Sequence, residues 1–487
     1  MLSRTLLAAA IALSLPLSAG AATRCDQIMK KIGAQLTSDT TCTESPDLTT
    51  INPNTTPQNN SIAGLPAFAF TPQTDRTVIA PSAAKRPPIT VVVPGVQING
   101  RFADDPTGQG RFLLRLPDNW NGRLVVAGAS GTRSEFNGDF AWSDYVVQKG
   151  YAYASQNKGV LNLQFSTAAD PLACRLNPAS PLFVRFYDNE AGQPFTRWAE
   201  YMIKAAQVAR DGVKGAYGNW PRYTYAVGTS NGGYQVRRAL EEAPKLFDGG
   251  VDWEGTFVDE HAPNLLTDLP PSLLNFPDYV ASGFNPASTA AKNIVAAGYG
   301  PDIVSGANSF WLNHWNQFWE VTQCQWQKRL DPTYDTYVSG TGTYNYVQRL
   351  SFSNVGAEMA AFATTGLIGA PLVTVHGTMD SLLPIDHHAR AYARKVNAAL
   401  DAAARGADPK RPAYRLYEVQ NANHIETYQD TFPQLELLMP HAQKAFDLLV
   451  ANVESGAVLP PNQCVPRGGT IAGAPAQPGH CANQFVP

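Results

Sequence analysis

One pentapeptide, Gly228-Thr229-Ser230-Asn231-Gly232, constrains the fold more than any other feature of the sequence. It follows an apolar, β-rich segment and precedes a segment with a helical pattern, so it lies at a strand-to-helix turn. The flanking glycines allow a tight turn, because a side chain at either position would collide with neighbouring backbone. The turn holds the serine, with strained backbone angles, at a helix N-terminus that favours negative charge. We therefore predict Ser230 as a catalytic nucleophile and the Asn231 N–H as a donor to an oxyanion.

Strand and helix patterns alternate on both sides of this turn. The predicted strands cover residues 111–116, 124–127, 151–155, 223–227, 249–253, 371–375 and 413–419, and the predicted helices cover residues 140–149, 196–215, 232–243, 386–403 and 432–453. Such alternation is typical of a mostly parallel sheet that is flanked by helices on both faces. The predicted fold class is α/β, and the position of Ser230 indicates the α/β-hydrolase fold.

Composition divides the chain into six predicted segments. The first residues carry a basic start, a short apolar run and a small-residue site, which are typical of a secretory signal peptide. Residues 258–365 break the strand–helix rhythm where an insertion would lie above the carboxyl ends of the strands, so we interpret them as a lid. The segments are a signal peptide (1–22), an N-terminal wrapping segment (23–90), a first core part (91–257), the lid (258–365), a second core part (366–456) and a disulfide-stapled tail (457–487).

The charge balance argues against nucleic acid as a partner. The chain has 37 basic and 40 acidic residues, a net charge of −3, and no basic run stands out. After the signal peptide, the sequence offers no segment apolar enough to cross a membrane. We therefore expect a periplasmic or secreted protein that has no membrane contact once the signal is removed.

The six cysteines are expected to form disulfides, because their number is even and the export signal indicates an oxidising compartment. The spacing of cysteines and histidines does not indicate a metal site, and we expect no cofactor. Six cysteines allow 15 different pairings. The sequence separations favour Cys25–Cys42 and Cys464–Cys481, which leaves Cys174–Cys324.

Two further residues are predicted to complete a catalytic triad with Ser230. A serine hydroxyl needs a base to become a nucleophile, and the α/β-hydrolase arrangement has an acid and then a histidine later in the chain. Asp380 follows the strand at 371–375, and His424 follows the strand at 413–419. We predict that His424 is the general base and that Asp380 orients it. The competing carboxylates are Asp252 and Glu254 at an earlier strand end, and Asp386 where a helix should begin.

Loop and aromatic residues supply the remaining candidates. Small residues after the second predicted strand let the backbone approach a substrate, so the N–H of Ala129 or Ser130 is predicted as the second oxyanion donor. The alternative is a plain flexible glycine loop. We also predict that Trp253, Trp311 and Trp315 contact the substrate, since ligands bind above the strand ends of open α/β sheets. The alternative is that the lid aromatics form the core of the lid itself.

Several stretches of the sequence resemble the tannase and feruloyl esterase family. The likeness lies in residues 110–124, 150–155 and 198–250, and it extends over residues 108–257 and 370–430. The resemblance implies an α/β-hydrolase core, a large lid, a Ser/Asp/His triad and the cleavage of esters of aromatic acids.

Two departures separate the chain from that family. The family has a disulfide between a cysteine that precedes the nucleophile and one that follows the catalytic histidine, where this chain has Thr229 and Ile425. The family's lid also carries an acidic calcium-binding loop, and residues 258–365 contain no such cluster in their sequence. The resemblance therefore implies ester hydrolysis and leaves the substrate class open.

The combined hypothesis is a secreted serine hydrolase that cleaves carboxylic esters through an acyl-enzyme. Its expected partner is a small or oligomeric ester substrate. Hydrolysis of polyesters or hydroxyalkanoate oligomers is the alternative to aromatic-acid ester hydrolysis. Two more distant hypotheses are a peptidase with the same triad and a non-catalytic binding protein on the same scaffold.

Overall fold

A computed structural model describes residues 23–58, 71–77, 80–131, 133–187, 197–261, 263–404 and 412–487. The predicted signal peptide and part of the predicted wrapping segment lie outside these residues. Within them, no helix combines the length and the apolar character that crossing a bilayer requires.

The strands form one large sheet and one small sheet. They are β1 (Thr41–Ser45), β2 (Gly95–Arg101), β3 (Arg111–Pro117), β4 (Arg123–Gly128), β5 (Ala152–Gln156), β6 (Leu161–Ser166), β7 (Cys174–Arg175), β8 (Phe183–Tyr187), β9 (Tyr223–Thr229), β10 (Gly249–Trp253), β11 (Leu372–Gly377), β12 (Tyr414–Val419) and β13 (Gln463–Val465). The ten-stranded sheet has the order β1-β2-β3-β5-β4-β9-β10-β11-β12-β13. Strands β5 to β13 in this order run parallel, and β1, β2 and β3 form an antiparallel edge.

The described residues form fourteen α-helices, several of which cover the two faces of the large sheet. They are α1 (Arg24–Ile32), α2 (Pro72–Asp75), α3 (Asp144–Val147), α4 (Arg197–Tyr217), α5 (Asn231–Glu242), α6 (Leu265–Ala281), α7 (Thr289–Ala296), α8 (Phe310–His314), α9 (Glu320–Leu330), α10 (Thr336–Ser339), α11 (Tyr346–Arg349), α12 (Val355–Ala360), α13 (Ala389–Ala404) and α14 (Met439–Ser455). Helices α1, α4, α5 and α13 share one hydrophobic core with the sheet, and α3 and α14 share another on the opposite face.

The side chains of β4 illustrate why these strands are buried on both faces. Leu124 and Val126 pack in the core with α4 and α5, whereas Val125 and Ala127 pack in the core with α3 and α14. Successive side chains of a strand point to opposite faces, so a strand between two helical layers must be apolar throughout. The predicted α/β-hydrolase fold, with a mostly parallel sheet flanked by helices, is confirmed.

The residues between β10 and β11, here called the insert (258–365), contain helices α6 to α12. The insert shares a third hydrophobic core with the small sheet of β6, β8 and β7. The disulfide Cys174–Cys324 joins β7 to α9 across this core. The small sheet lies within the predicted first core part, but it packs against the insert.

The predicted disulfides are confirmed, and one predicted helix is shorter than expected. The structure forms Cys25–Cys42, Cys174–Cys324 and Cys464–Cys481. The helix predicted at 432–453 begins at Met439, with a proline in its first turn. The apolar residues that precede it form part of the insert's core without adopting the helix.

Candidate active site

Ser230 lies at a strained turn between β9 and α5. Its φ of 61° and ψ of −121° are rare for a residue with a side chain. A Cβ atom at Gly228 would lie 2.3 Å from the carbonyl oxygen of Gly232, and one at Gly232 would lie 2.3 Å from that of Gly128. The Ser230 N–H donates to Trp253 O at 2.9 Å, which ties the turn to the end of β10. Glycines are therefore required at these places, as the sequence indicates.

His424 and Asp380 meet at the carboxyl edge of the sheet. His424 Nδ1 lies 2.8 Å from Asp380 Oδ2, and both side chains are buried. The other carboxylate oxygen of Asp380 accepts the N–H groups of Leu382 at 2.9 Å and Leu383 at 2.7 Å. His376 Nε2 lies 3.3 Å from Asp380 Oδ2. This carboxylate is thus held rigidly by backbone donors while it faces the imidazole of His424.

The neighbours of Asp380 keep it ionised. Burial alone would raise its pKa, but the charges and hydrogen bonds of His424 and His376 outweigh burial and hold the pKa well below the usual range. An ionised carboxylate next to Nδ1 fixes the tautomer in which Nε2 of His424 is free to accept a proton. The pair therefore has the arrangement that a general base requires.

Glu254 is a second carboxyl group beside the same imidazole. Its Oε2 lies 3.5 Å from His424 Nδ1, and its Oε1 accepts the Gly377 N–H at 3.1 Å. Burial and the negative charge of Asp380 raise the pKa of Glu254 well above its usual value. Glu254 is thus the neutral member of the pair, and the shorter contact favours Asp380 as the orienting acid. One potential metal-ligand atom from each of Glu254, Asp380 and His424 lies within 4.8 Å of the other two. Two of these three side chains, His424 and Asp380, already contact each other.

Ser230 and His424 line the same cavity, which has a volume of about 100 Å³ and is partly open to solvent. The core contributes the loop residues after β4 and the residues that follow Asp380. The insert supplies Leu265, Gln317, Phe318, Val321 and Thr322, and Leu163 comes from β6.

The loop after β4 is organised by a buried lysine. Lys158 Nζ donates to the carbonyl oxygens of Ala129 and Ser130, each at 2.9 Å. The C=O and N–H of a trans peptide point in opposite directions, so the N–H of Gly131 is directed away from Lys158. Gly131 lines the cavity. This geometry favours the Gly131 N–H as the second oxyanion donor.

The predicted donors of this loop have other surroundings in the structure, and the identity of the second donor stays a prediction. The N–H and the hydroxyl of Ser130 both contact Asn137 Oδ1, at 3.0 Å and 2.8 Å, so this N–H is already committed. Ala129 does not line the cavity in the described structure. Asn231 does line it, and its side-chain oxygen accepts the Thr256 hydroxyl at 2.9 Å.

Among the described residues that line this cavity, none is one of the three tryptophans predicted to contact the substrate, and that contact stays a prediction. Trp253 is fully buried against Trp142, with ring centroids 6.2 Å apart. Trp311 is buried in the core of the insert, and Trp315 stacks on Phe276 at 4.8 Å. Aromatic residues on short helices face the neighbouring helices, so the alternative that they form the insert's own core is correct for Trp311 and Trp315.

Sequence reasoning missed Lys158 and Arg133. Lys158 comes two residues after β5, so a charged side chain directly after a buried strand was the available signal. Arg133 follows the small-residue loop after β4 and lines the cavity. Both lie at the carboxyl edge of the sheet, where parallel strands place residues that contact ligands.

Sequence comparison finds one family model and several relatives that match part of the chain. The family model described as 3HB-oligomer hydrolase (3HBOH) matches residues 347–483, which include Asp380 and His424. A D-(-)-3-hydroxybutyrate oligomer hydrolase from Ralstonia nicotianae is 38% identical over 120 residues, which is 23% of this chain and 15% of that protein. A protein of the same name from Burkholderia mallei is 32% identical over 112 residues, which is 22% of this chain and 15% of that protein. The matched segment thus spans only a small part of these relatives.

Comparison of structures finds esterases along most of the chain. Feruloyl esterase B from Aspergillus oryzae has a TM-score of 0.47 and 14% identity, with 90% of this chain and 91% of that chain covered. A tannin acyl hydrolase from Aspergillus niger has a TM-score of 0.45 and 13% identity, with 83% of this chain and 89% of that chain covered. Over residues 347–483, the chain is similar to 3HB-oligomer hydrolases.

Proposed function

We propose that this chain hydrolyses carboxylic esters with Ser230 as the nucleophile. The observation that carries the proposal is the 2.8 Å contact between His424 Nδ1 and Asp380 Oδ2 at the wall of the cavity that Ser230 also lines. A strained serine, an imidazole and an ionised carboxylate at one sheet edge are the parts that acyl transfer needs. The similarity to ester-cleaving relatives over residues 347–483 supports the same reaction.

The reaction proceeds through an acyl-enzyme. His424 Nε2 accepts the Ser230 hydroxyl proton while Ser230 Oγ bonds to the ester carbonyl carbon. The tetrahedral oxyanion collapses, the ester C–O bond breaks, and His424 gives its proton to the leaving alcohol. Water then attacks the acyl-enzyme with His424 as the base, which releases the acid and regenerates Ser230. Asp380 stays ionised and stabilises the imidazolium in both steps.

Backbone N–H groups of Asn231 and Gly131 are proposed to stabilise the oxyanion. Asn231 begins α5, so its N–H belongs to the positive end of a helix. Gly131 is oriented by the hydrogen bonds that Lys158 makes to the loop. Each such donor contributes about 3–4 kcal/mol to the stabilisation of the transition state in comparable enzymes.

The cavity wall favours aliphatic substrates over aromatic ones. Its apolar residues from the described chain are Leu163, Leu265, Phe318, Val321, Leu382, Leu383 and Ile425, of which only Phe318 is aromatic. Aliphatic walls suit short branched acids, whereas a ring substrate gains from stacking on aromatic side chains. Together with the names of the sequence relatives, this supports oligomers of 3-hydroxybutyrate as the substrate class.

The proposed place of action is the periplasm or the extracellular medium. The three disulfides support an oxidising compartment, because such bonds are rare in reducing ones. The signal-peptide pattern at residues 1–22 points to the same compartment.

The test is the replacement Ser230→Ala, measured with linear 3-hydroxybutyrate oligomers and a panel of chromogenic esters. The variant is expected to lose at least about 10³-fold in kcat, because the nucleophile is absent and only binding and the oxyanion donors remain. Its melting temperature should stay close to that of the unchanged protein. Turnover in Ser230→Ala equal to that of the unchanged protein would refute the assignment.

Two further measurements separate this function from a binding protein and from a peptidase. A fluorophosphonate probe should label the unchanged protein but not Ser230→Ala, and a folded protein without labelling would indicate a non-catalytic binding protein. Hydrolysis of peptide amides in preference to esters would indicate a peptidase.

A further inference from the structure

The insert is hydrogen-bonded to the loop that carries Asp380. Trp319 Nε1 donates to the carbonyl oxygen of Ser381 at 2.6 Å, and both residues are fully buried. Trp319 belongs to the insert, whereas Ser381 directly follows Asp380 in the chain. The bond therefore joins the insert to the core next to the proposed orienting acid.

This bond sets the direction of the peptide group between Ser381 and Leu382. The C=O and the N–H of a trans peptide point in opposite directions, so a donor on the Ser381 oxygen also directs the Leu382 N–H. That N–H donates to Asp380 Oδ1 at 2.9 Å, and the other oxygen of Asp380 contacts His424 Nδ1 at 2.8 Å. Trp319 is thus linked to the imidazole through one peptide group and one carboxylate.

The core of the insert holds the indole ring of Trp319 in place. The ring centroid of Trp319 lies 5.8 Å from that of Phe276, 5.5 Å from that of Tyr299 and 6.1 Å from that of His314. These three neighbours are buried as well. The close packing of this core fixes the position of the indole N–H before a ligand binds.

The same short segment of the insert also forms part of the cavity wall. Gln317, Phe318, Val321 and Thr322 line the cavity, whereas Trp319 between them is buried in the core of the insert. The residues that meet a ligand and the residue that contacts the loop of the acid therefore belong to one stretch of chain.

We propose that Trp319 is a positioning residue that holds Asp380 against His424. The inference rests on the ester hydrolysis proposed above and deepens it, because it makes the insert part of the catalytic arrangement as well as a wall of the cavity. Trp319 does not line the cavity in the described structure, so its loss should change kcat and leave KM nearly unaffected.

The experiment measures kcat and KM on a chromogenic ester for the unchanged protein and for Trp319→Phe, which removes the N–H donor and keeps an aromatic ring. Its kcat should fall by about 10-fold, because a buried acceptor loses its donor, whereas its KM should stay within about twofold. Replacement of Trp319 by benzothienylalanine, in which sulfur takes the place of the indole N–H, preserves the shape of the side chain. It should give the same loss of kcat, which separates the hydrogen bond from the packing.

Combination with Asp380→Asn tests the path of this effect. Because Trp319 acts through the carboxylate, Trp319→Phe should lower kcat by less than about twofold when Asp380 is already replaced. A general loosening of the insert would instead cause the full loss in both backgrounds.

Trp120→Phe is the matched control. Trp120 Nε1 donates to the carbonyl oxygen of Arg123 at 2.8 Å, and its ring stacks on that of Tyr217 with centroids 4.4 Å apart. Arg123 begins β4, at the edge of the sheet opposite Ser230. This variant loses the same kind of bond, so its melting temperature should fall while its kcat stays equal to that of the unchanged protein.

An unchanged kcat in the benzothienylalanine variant, or additive losses from Trp319→Phe and Asp380→Asn, would overturn the role of Trp319. A rise in KM without a fall in kcat would also overturn it. Failure of the unchanged protein to cleave any ester would instead refute the ester-hydrolase proposal itself, so the two failures are distinguishable.

Discussion

At the scale of single residues, two carboxyl groups face the same imidazole, and their surroundings give them different charges. Asp380 accepts two backbone N–H groups and contacts two histidines, which keeps its pKa low. Burial and the charge of Asp380 raise the pKa of Glu254 well above its usual value, so that this carboxyl keeps its proton more readily than Asp380 does. Two negatively charged carboxylates beside one imidazole would repel each other strongly, and a proton on one of them removes this repulsion.

The replacements Asp380→Asn and Glu254→Gln test this division. Asp380→Asn should lower kcat by about 10⁴-fold, because the amide does not stabilise the imidazolium or the correct tautomer. Glu254→Gln should keep kcat within about threefold, because Asp380 still contacts His424 at 2.8 Å and the amide has a shape similar to that of the carboxyl group. The measurement is kcat on a chromogenic ester, with the melting temperature as a check on folding. A loss in Glu254→Gln as large as that in Asp380→Asn would make Glu254 the orienting acid.

The sequence could predict the residues whose role depends on local pattern. The flanking glycines predict Ser230 as the nucleophile. The positions of Asp380 and His424 after predicted strands predict them as the other two members of a triad. The sequence does not single out Lys158 or Gly131 as site residues, because their arrangement depends on two loops from different strands that lie side by side. The sequence does not distinguish a tryptophan that lines a cavity from one that packs in a core, so the surroundings of Trp253, Trp311 and Trp315 could not be predicted.

At the scale of elements, helix α6 of the insert is held to the core by a buried charged cluster. Asp268 lies 2.9 Å from His387 Nδ1 and 3.0 Å from His388 Nε2. His388 Nδ1 accepts the Phe257 N–H at 2.9 Å, and burial lowers the pKa of this ring. The bond to Asp268 raises the pKa of His387 although burial opposes the rise. Burial would raise the pKa of Asp268, but both histidines outweigh burial and lower the pKa.

These directions predict how the cluster responds to pH. The raised pKa of His387 gives stability that is complete below about pH 6.5 and is lost as pH rises through the folded pKa. The lowered pKa of Asp268 gives stability that is present above about pH 4 and is lost below it. Asp268→Asn should therefore lower Tm by roughly 5 °C at pH 5–6 and by less at pH 8–9.

The measurement is thermal unfolding across this pH range, with His387→Gln as the matched control. The Tm of His387→Gln should no longer decline above pH 6.5, whereas the contact between Asp268 and His388 is kept. A difference in Tm between Asp268→Asn and the unchanged protein that does not vary with pH would contradict the assignment.

Elements with strong apolar patterns could be predicted, and those stabilised by remote contacts could not. Strand β10 has the predicted bounds, because its buried side chains dictate them. Helix α14 begins later than predicted because the distant carboxylate of Glu426 accepts the N–H groups at its start, including that of Met439 at 2.6 Å. Strand β1 is polar and largely exposed, so backbone pairing with β2 defines it rather than side-chain pattern.

At the scale of the whole molecule, the disulfide Cys174–Cys324 connects two segments that are 150 residues apart. The small sheet and α9 on either side of it both contribute to the cavity, through Leu163 and through Val321 and Thr322. The position of the cavity wall therefore depends on a covalent link outside the main sheet.

Replacement of both cysteines by alanine is expected to lower the free energy of unfolding by about 2–5 kcal/mol, because the open chain gains conformational entropy. The pair Cys464 and Cys481 closes a loop of only 17 residues and should cost less when it is replaced in the same way. Guanidinium unfolding of both double variants measures the difference. An equal or larger loss in the second variant would contradict the entropic explanation.

Gly128 and Gly232 approach so closely that neither has room for a side chain. The two proposed oxyanion loops therefore cannot shift independently. The wall residues from the insert and β6 lie outside the segments that carry the triad and the proposed oxyanion donors. Variation in the wall could adapt the same catalytic unit to other esters, which makes this chain a suitable starting point for directed evolution toward synthetic polyester fragments.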